Sequence, residues 1–181
     1  MVSISTVVLI LTVAQAAVIF WRLRNTRRED WRFVVPATII WISALNVTLW
    51  DFLKLQEMRF RFSVMSGMGI VLFLVGVAVA RKGVATLGAY YSRSLTIKEG
   101  HRLVKHGIYG HVRHPIYLGA IMYVVAIPML FSSMYGSAIM LGLIPSSIYR
   151  IVIEEAMLVD EFGDEYREYM NQTKKLIPFV Y

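Results

Sequence analysis

Apolar residues in this chain fall into long unbroken blocks. Residues 2–21 carry no formal charge over twenty positions. At about 1.5 Å per residue, such a helix crosses a hydrocarbon core of about 30 Å. A cleaved leader is the rival reading, but the block has no basic start and is long for a signal core. Residues 33–53 form a second block, whose single formal charge is Asp51 near one end. Residues 63–80 form a third, and residues 116–149 a fourth of thirty-four uncharged positions, too long for one span at ordinary tilt. The polar, turn-prone centre Ser132-Ser133-Met134-Tyr135-Gly136 divides that last block into a helical hairpin. Pro128 and Pro145 fall inside its two arms, which membrane helices tolerate where neighbours re-satisfy the backbone. Beyond the hairpin, residues 154–172 place Met157, Leu158, Phe162, Tyr166 and Tyr169 at helical spacing among acidic positions, predicting an amphipathic helix.

The pattern therefore predicts an all-α polytopic membrane protein with five transmembrane helices and a C-terminal amphipathic helix. Composition agrees: 57% of residues are hydrophobic and only 17% charged, which excludes an ordinary soluble domain and a disordered chain. There is no cysteine, hence no disulfide, thiolate metal site or cysteine nucleophile. The formal net charge of +7 comes from 19 Lys and Arg against 12 Asp and Glu. These basic residues sit between apolar blocks, so topology explains them better than nucleic acid does. Five lie in the first connection, seven in the long segment 81–113 and four in the tail, against three in the second connection and none at the hairpin tip. The positive-inside rule then predicts an N-terminus outside and a C-terminus in the cytoplasm.

Candidate chemistry gathers at one place. Residues 101–119 hold all four histidines, His101, His106, His111 and His114, together with Tyr109 and Tyr117, at the expected cytoplasmic mouth of the hairpin. An interfacial loop meeting anionic lipid is the plain reading. A metal site is disfavoured, because no carboxylate or cysteine completes a familiar ligand pattern. A pocket for a zwitterionic or anionic small molecule is the third reading: Pro115 suits the first turn of a helix, whose free N–H groups attract a carboxylate or phosphate. Further on, Arg150 and Glu154 are four apart and share a helix face, while Glu155 points about 100° away. They read as a simple helix ion pair or as functional groups at membrane depth, where ionisable side chains are costly.

Taken in order, His101-Arg102-Leu103-Val104, Gly107-Ile108-Tyr109, Arg113-His114-Pro115-Ile116-Tyr117-Leu118-Gly119, Arg150 with Glu154-Glu155, Phe162-Gly163-Asp164-Glu165-Tyr166 with Tyr169, and Ile177-Pro178 resemble the isoprenylcysteine carboxyl methyltransferase family of integral membrane enzymes. The resemblance covers roughly residues 88–181; the first three spans match only in number and size. It implies S-adenosylmethionine as methyl donor, with S-adenosylhomocysteine as product, bound at the cytoplasmic end of the last two spans. It further implies that His101, Leu103 and Val104 line the cofactor pocket, that Tyr109, His114, Pro115 and Tyr117 complete it, that Glu154 holds the cofactor's ammonium, and that Arg150 faces the methyl acceptor. No metal is implied. Residues 1–80 then form three transmembrane helices, and residues 81–181 the cofactor-binding and catalytic region.

The chemistry is compatible with these residues. A carboxylate acceptor is ionised at neutral pH and needs positioning rather than a base, which an arginine fork supplies. A tyrosine ring can face a sulfonium through its quadrupole. The expected partner is a lipophilic or lipidated acceptor reached from the membrane lipids, with the carboxylate of a prenylcysteine-like substrate as the expected methyl-accepting group. Three alternatives stay open: a phosphatidylethanolamine-type N-methyltransferase, which would need a base; a reductase relative using a nicotinamide cofactor; and a non-catalytic membrane protein.

Overall fold

The computed structural model describes residues 13–15, 17, 19–21, 24, 31–54, 63–92 and 102–177. Most of the first apolar block, 2–21, lies outside the described residues; those of its positions that are described are helical. Gln15 accepts a 3.2 Å hydrogen bond from the Asn46 side chain, which ties that segment to the next helix.

Six α-helices follow: α1 (Trp31–Lys54), α2 (Val64–Leu87), α3 (Pro115–Leu130), α4 (Met134–Met140), α5 (Leu143–Phe162) and α6 (Asp164–Gln172). Short 3-10 turns cover Gly88–Tyr90 and Gly107–Gly110. The described residues contain no β-strand, only an isolated parallel bridge between Val112 and Lys174. Three stretches are long and apolar enough to cross a membrane, Val34–Leu53, Val64–Tyr90 and Met134–Phe162, beside the shorter apolar helix Pro115–Leu130.

Polar residues inside α1 satisfy themselves locally. Thr38 and Thr48 donate to the carbonyls of Val34 and Ala44, at 2.5 and 2.7 Å, and Asn46 donates to that of Ile42. Back-bonding to the preceding turn lets such residues sit in an apolar helix without a cost in unmatched hydrogen bonds.

The tightest seam runs between α2 and α3. Gly69, Gly76 and Gly83, one heptad apart, are all buried and turn the same face to α3. A Cβ at Gly76 would lie 2.6 Å from the backbone nitrogen of Tyr123 and 2.8 Å from the carbonyl of Gly119. The two backbones touch, as small residues permit in membrane helix pairs. Helix α2 outruns the expected 63–80 by seven residues. Arg81 and Lys82 end the apolar block but are good helix formers, and both are exposed.

The expected hairpin is present, and its turn falls at Phe131-Ser132-Ser133. Ser133 caps α4 by accepting from the Gly136 amide at 3.0 Å and donates its hydroxyl to the buried Asp51 carboxylate of α1. Ser132 meets the hydroxyls of Ser63 and Ser66, at 2.5 and 3.0 Å, and so ties the tip to the start of α2. The second arm is not one continuous helix: it breaks at Leu141-Gly142. Pro145 lacks an N–H for the Leu141 carbonyl, so helix resumes only where proline sits in the first turn of α5.

The amphipathic segment 154–172 is likewise two pieces. α5 carries the chain without interruption out of the second arm of the hairpin to Phe162, and Gly163 then adopts φ +55°. That left-handed conformation suits glycine and terminates the helix. α6 folds back as a separate helix with Tyr166 and Tyr169 buried beneath it.

Candidate active site

A cavity of about 670 Å³ lies where α1, α3, α5 and α6 meet the loops before α3. Its walls change character with depth. Ala37 and Trp41 of α1, Ile121, Val124 and Ile127 of α3, and Leu143 of α5 make one end apolar, whereas Tyr90, Tyr91, Tyr109, His114, Arg150 and Glu154 make the other polar.

The polar end is built from consecutive turns of α5 facing the first turn of α3. Arg150 and Glu154 both line the cavity, as their four-residue spacing predicts. Between them sits the Tyr117 hydroxyl. It donates to Glu154 Oε2 at 2.8 Å and accepts from Arg150 Nε at 2.9 Å. The other carboxylate oxygen, Glu154 Oε1, makes no hydrogen bond among the described residues.

Glu155, turned about 100° from Glu154, does not line the cavity and organises its rim. Its Oε1 receives Arg113 Nε at 2.8 Å and meets His114 Nε2 at 3.2 Å, and its Oε2 meets Lys175 Nζ at 3.0 Å. Arg113 also donates through Nη1 to the carbonyls of Met170, at 3.0 Å, and Thr173. The backbone repeats the tie, with the amides of Arg113 and His114 donating to the carbonyls of Lys174 and Lys175 at 2.8 and 3.1 Å. Residues 112–114 and 173–175 thus run side by side over the mouth, clamped to α5 by a carboxylate whose side chain is 7% exposed.

Tyr109 is carried by the turn at Gly107–Gly110, and its carbonyl accepts from the Tyr169 hydroxyl at 2.7 Å. Burial pushes the Tyr169 phenol up to about 12, and burial together with the nearby Glu154 charge raises that of Tyr109. Both rings therefore present neutral hydroxyls at physiological pH. Lys105 and Glu165 pair at 2.7 Å and hold the loop before Tyr109 against α6.

Most sequence-based candidates meet at this cavity. Leu103, Val104, Tyr109, His114, Tyr117, Arg150 and Glu154 all line it. Pro115 does not: it is fully buried behind the wall, against α2 at Gly83. His101 lies outside the described residues. His106 and His111 are exposed. Two lining residues, Ala37 and Trp41, carried no sequence signal: they sit in an otherwise plain apolar helix. Tyr166 and Tyr169 read by periodicity as the inner face of a surface helix and entered the resemblance with no role assigned to them. The Glu155–Lys175 pair joins positions twenty apart, a contact that helical periodicity cannot register.

An all-helical membrane architecture with a semi-polar cavity at one mouth defines the class. Within that class, the isoprenylcysteine carboxyl methyltransferase (ICMT) family model matches residues 68–160, just over half of the chain, and the chain belongs to that family. A probable protein-S-isoprenylcysteine O-methyltransferase of Oryza sativa subsp. indica is 29% identical over 157 residues, spanning 81% of this chain and 82% of the rice protein. The protein-S-isoprenylcysteine O-methyltransferase of Schizosaccharomyces pombe is 30% identical over 126 residues, 67% of this chain and 53% of the yeast one. The solved structure of a eukaryotic intramembrane Ras methyltransferase, ICMT, superposes with a TM-score of 0.71 at 23% identity, over 86% of this chain and 55% of that one. The chain thus spans about half the length of the yeast protein and of the solved structure, while matching most of the rice relative.

Proposed function

We propose that this protein is an integral membrane methyltransferase that moves a methyl group from S-adenosylmethionine to the carboxylate of a lipophilic, prenylcysteine-like acceptor. The observation that carries the reading is the cavity itself: one continuous space with an apolar end inside the helices and a polar end at the loops, with Arg150 and Glu154 on the same wall. Family membership and the names of the relatives support the same chemistry.

The residues present fit the cofactor. Glu154 Oε1 offers an acceptor to its ammonium, and the rings of Tyr109 and Tyr117 offer electron-rich faces to a sulfonium. Leu103, Val104 and His114 border the same end, with His101 assigned to it by resemblance alone. When bound, S-adenosylmethionine supplies a methyl on cationic sulfur: a carboxylate oxygen forms the O–CH3 bond as the C–S bond breaks, and the electron pair leaves on a neutral thioether. No proton moves, so neither a base nor an acid is required of the chain. Arg150 orients the acceptor carboxylate; the apolar end takes its hydrocarbon and keeps water away. A phospholipid amine acceptor would need a base, and no carboxylate in the wall is set apart for that task.

The same reading gives five spans, counting residues 2–21 and both arms of the hairpin, with α6 on the cytoplasmic side beside the cavity mouth. Residues 81–181 carry most of the site, and α1 contributes Ala37 and Trp41 to its apolar end.

The test is calorimetric titration of the detergent-purified protein with S-adenosylhomocysteine and, separately, NADPH, followed by methyl transfer to an N-acylated S-prenylcysteine. Micromolar binding of the first alone is expected, weakened about tenfold or more in Glu154→Ala by loss of a charged contact. Arg150→Ala is expected to bind S-adenosylhomocysteine within about threefold of the parent but to lose about a hundredfold in turnover, since its contact is to the acceptor. Binding of NADPH in place of S-adenosylhomocysteine would overturn the reading, and retained turnover in Arg150→Ala would remove that residue from the mechanism.

A further inference from the structure

A guanidinium and a carboxylate one helical turn apart on the same face are placed to close on each other. If they did, each would be lost to its ligand. In this cavity a neutral hydroxyl is interposed: Tyr117, from the facing helix, takes Arg150 Nε at 2.9 Å and gives its proton to Glu154 Oε2 at 2.8 Å. Tyr117 is itself held. Pro115 starts its helix two residues earlier and is packed against Gly83 of α2, and the ring lies edge-on to His114 with centroids 5.8 Å apart. His114 in turn is anchored to Glu155 at 3.2 Å.

We infer that the Tyr117 hydroxyl is a positioning group that holds Arg150 and Glu154 apart and couples the acceptor side of the site to the cofactor side. The inference rests on the methyltransferase reading above and adds a link between its two half-sites. Three consequences follow from the bonds. Fixing Nε fixes the plane of the guanidinium, which sets the direction in which its fork meets a carboxylate. Donation to Oε2 fixes the Glu154 rotamer and leaves Oε1, which makes no hydrogen bond among the described residues, as the acceptor for a cation. The two bonds share one oxygen and reinforce each other, so a cation drawing on Glu154 or an anion drawing on Arg150 loosens both and leaves the charge at the other end more available to its ligand. A cation bound at Glu154 and an anion bound at Arg150 therefore alter one another's partner through the same hydroxyl, and each ligand senses whether the other is present.

Tyr117→Phe tests this, because it keeps the ring and its packing and removes only the hydroxyl. The expected result is S-adenosylhomocysteine binding within about threefold of the parent, with acceptor kcat/KM down about ten- to a hundredfold, the loss of a hydrogen bond to a charged group. The decisive readout is coupling. In the parent, a saturating prenylcysteine acceptor should tighten S-adenosylhomocysteine binding measurably, and in Tyr117→Phe that enhancement should vanish. Arg150→Lys, which keeps charge but loses the Nε donor, should show the same loss, and the double variant should be no worse than either single one. Wild-type kcat/KM and undiminished coupling in Tyr117→Phe would overturn the inference, as would additive effects in the double variant. Absence of S-adenosylhomocysteine binding by the parent would instead sink the methyltransferase reading itself, so the two failures are distinguishable.

Discussion

Glu154 and Glu155 are neighbours in sequence with opposite surroundings. One lines the cavity, with one oxygen making no hydrogen bond among the described residues; the other is buried among Arg113, His114 and Lys175. The helical angle between consecutive residues announces their divergence, and the resemblance singles out Glu154 as the ligand-facing one. What Glu155 does instead was not legible, because its partners come from a loop forty residues earlier and a tail twenty residues later. A buried carboxylate held by two cations and a histidine is costly to disturb: removing one side of a buried pair commonly costs about 3–5 kcal/mol. Glu155→Ala should therefore unfold at markedly lower temperature in detergent, while Glu154→Ala, which leaves no buried cation unpaired, should melt close to the parent. Thermal unfolding of the two variants side by side checks this, and equal losses would mean that the rim cluster is not the stabilising unit.

Among the helices, block length marked out the apolar stretches that became α1, α2 and the hairpin arms, and the location of the hairpin turn, since uncharged runs and a Ser-Ser-Met-Tyr-Gly turn are local signals. Where helices actually stop depended on single residues whose effect is conformational. Pro145 splits the second arm and Gly163 splits the amphipathic segment, while Arg81 and Lys82 fail to stop α2. The heptad of Gly69, Gly76 and Gly83 is visible in the sequence, yet its meaning lies in the backbone it meets. A methyl group at Gly76 would press on main-chain atoms of α3 at 2.6 and 2.8 Å, which cannot swing aside as a side chain can. Gly76→Ala should cost about 1–3 kcal/mol through overpacking and helix separation, and it should lower activity by shifting α3 and with it Tyr117. Ala78→Leu, two residues away on an exposed face, serves as the control and should leave both unchanged. Thermal stability and turnover measured together decide it; a Gly76→Ala protein as stable as the parent would show that α2 and α3 can separate freely.

For the whole molecule, the distribution of charge and the position of the cavity make one statement about sidedness. The cluster of Arg113, Glu155 and Lys175 and the polar end of the cavity lie at the mouth where α3 begins, whereas Asp51, Ser133 and the serine cluster close the far end. Because the chain has no cysteine, single cysteines can report on this directly. Met134, 67% exposed at the hairpin tip, replaced by cysteine should react with a membrane-impermeant maleimide on intact cells. Asn171→Cys on α6 should react only after lysis. The reverse pattern would invert the proposed orientation. The rim also has an order of assembly written into it. Residues 173–175 are translated after the apolar blocks at 2–21, 33–53, 63–80 and 116–149, so the hairpin enters the bilayer while Arg113 and Glu155 are still hydrated. Their burial is completed only when the tail docks, and no strongly charged group of that cluster has to be carried through hydrocarbon. The cavity mouth therefore matures after the helices that carry it, and a ribosome stalled shortly before Thr173 would leave an inserted bundle with an unfinished entrance.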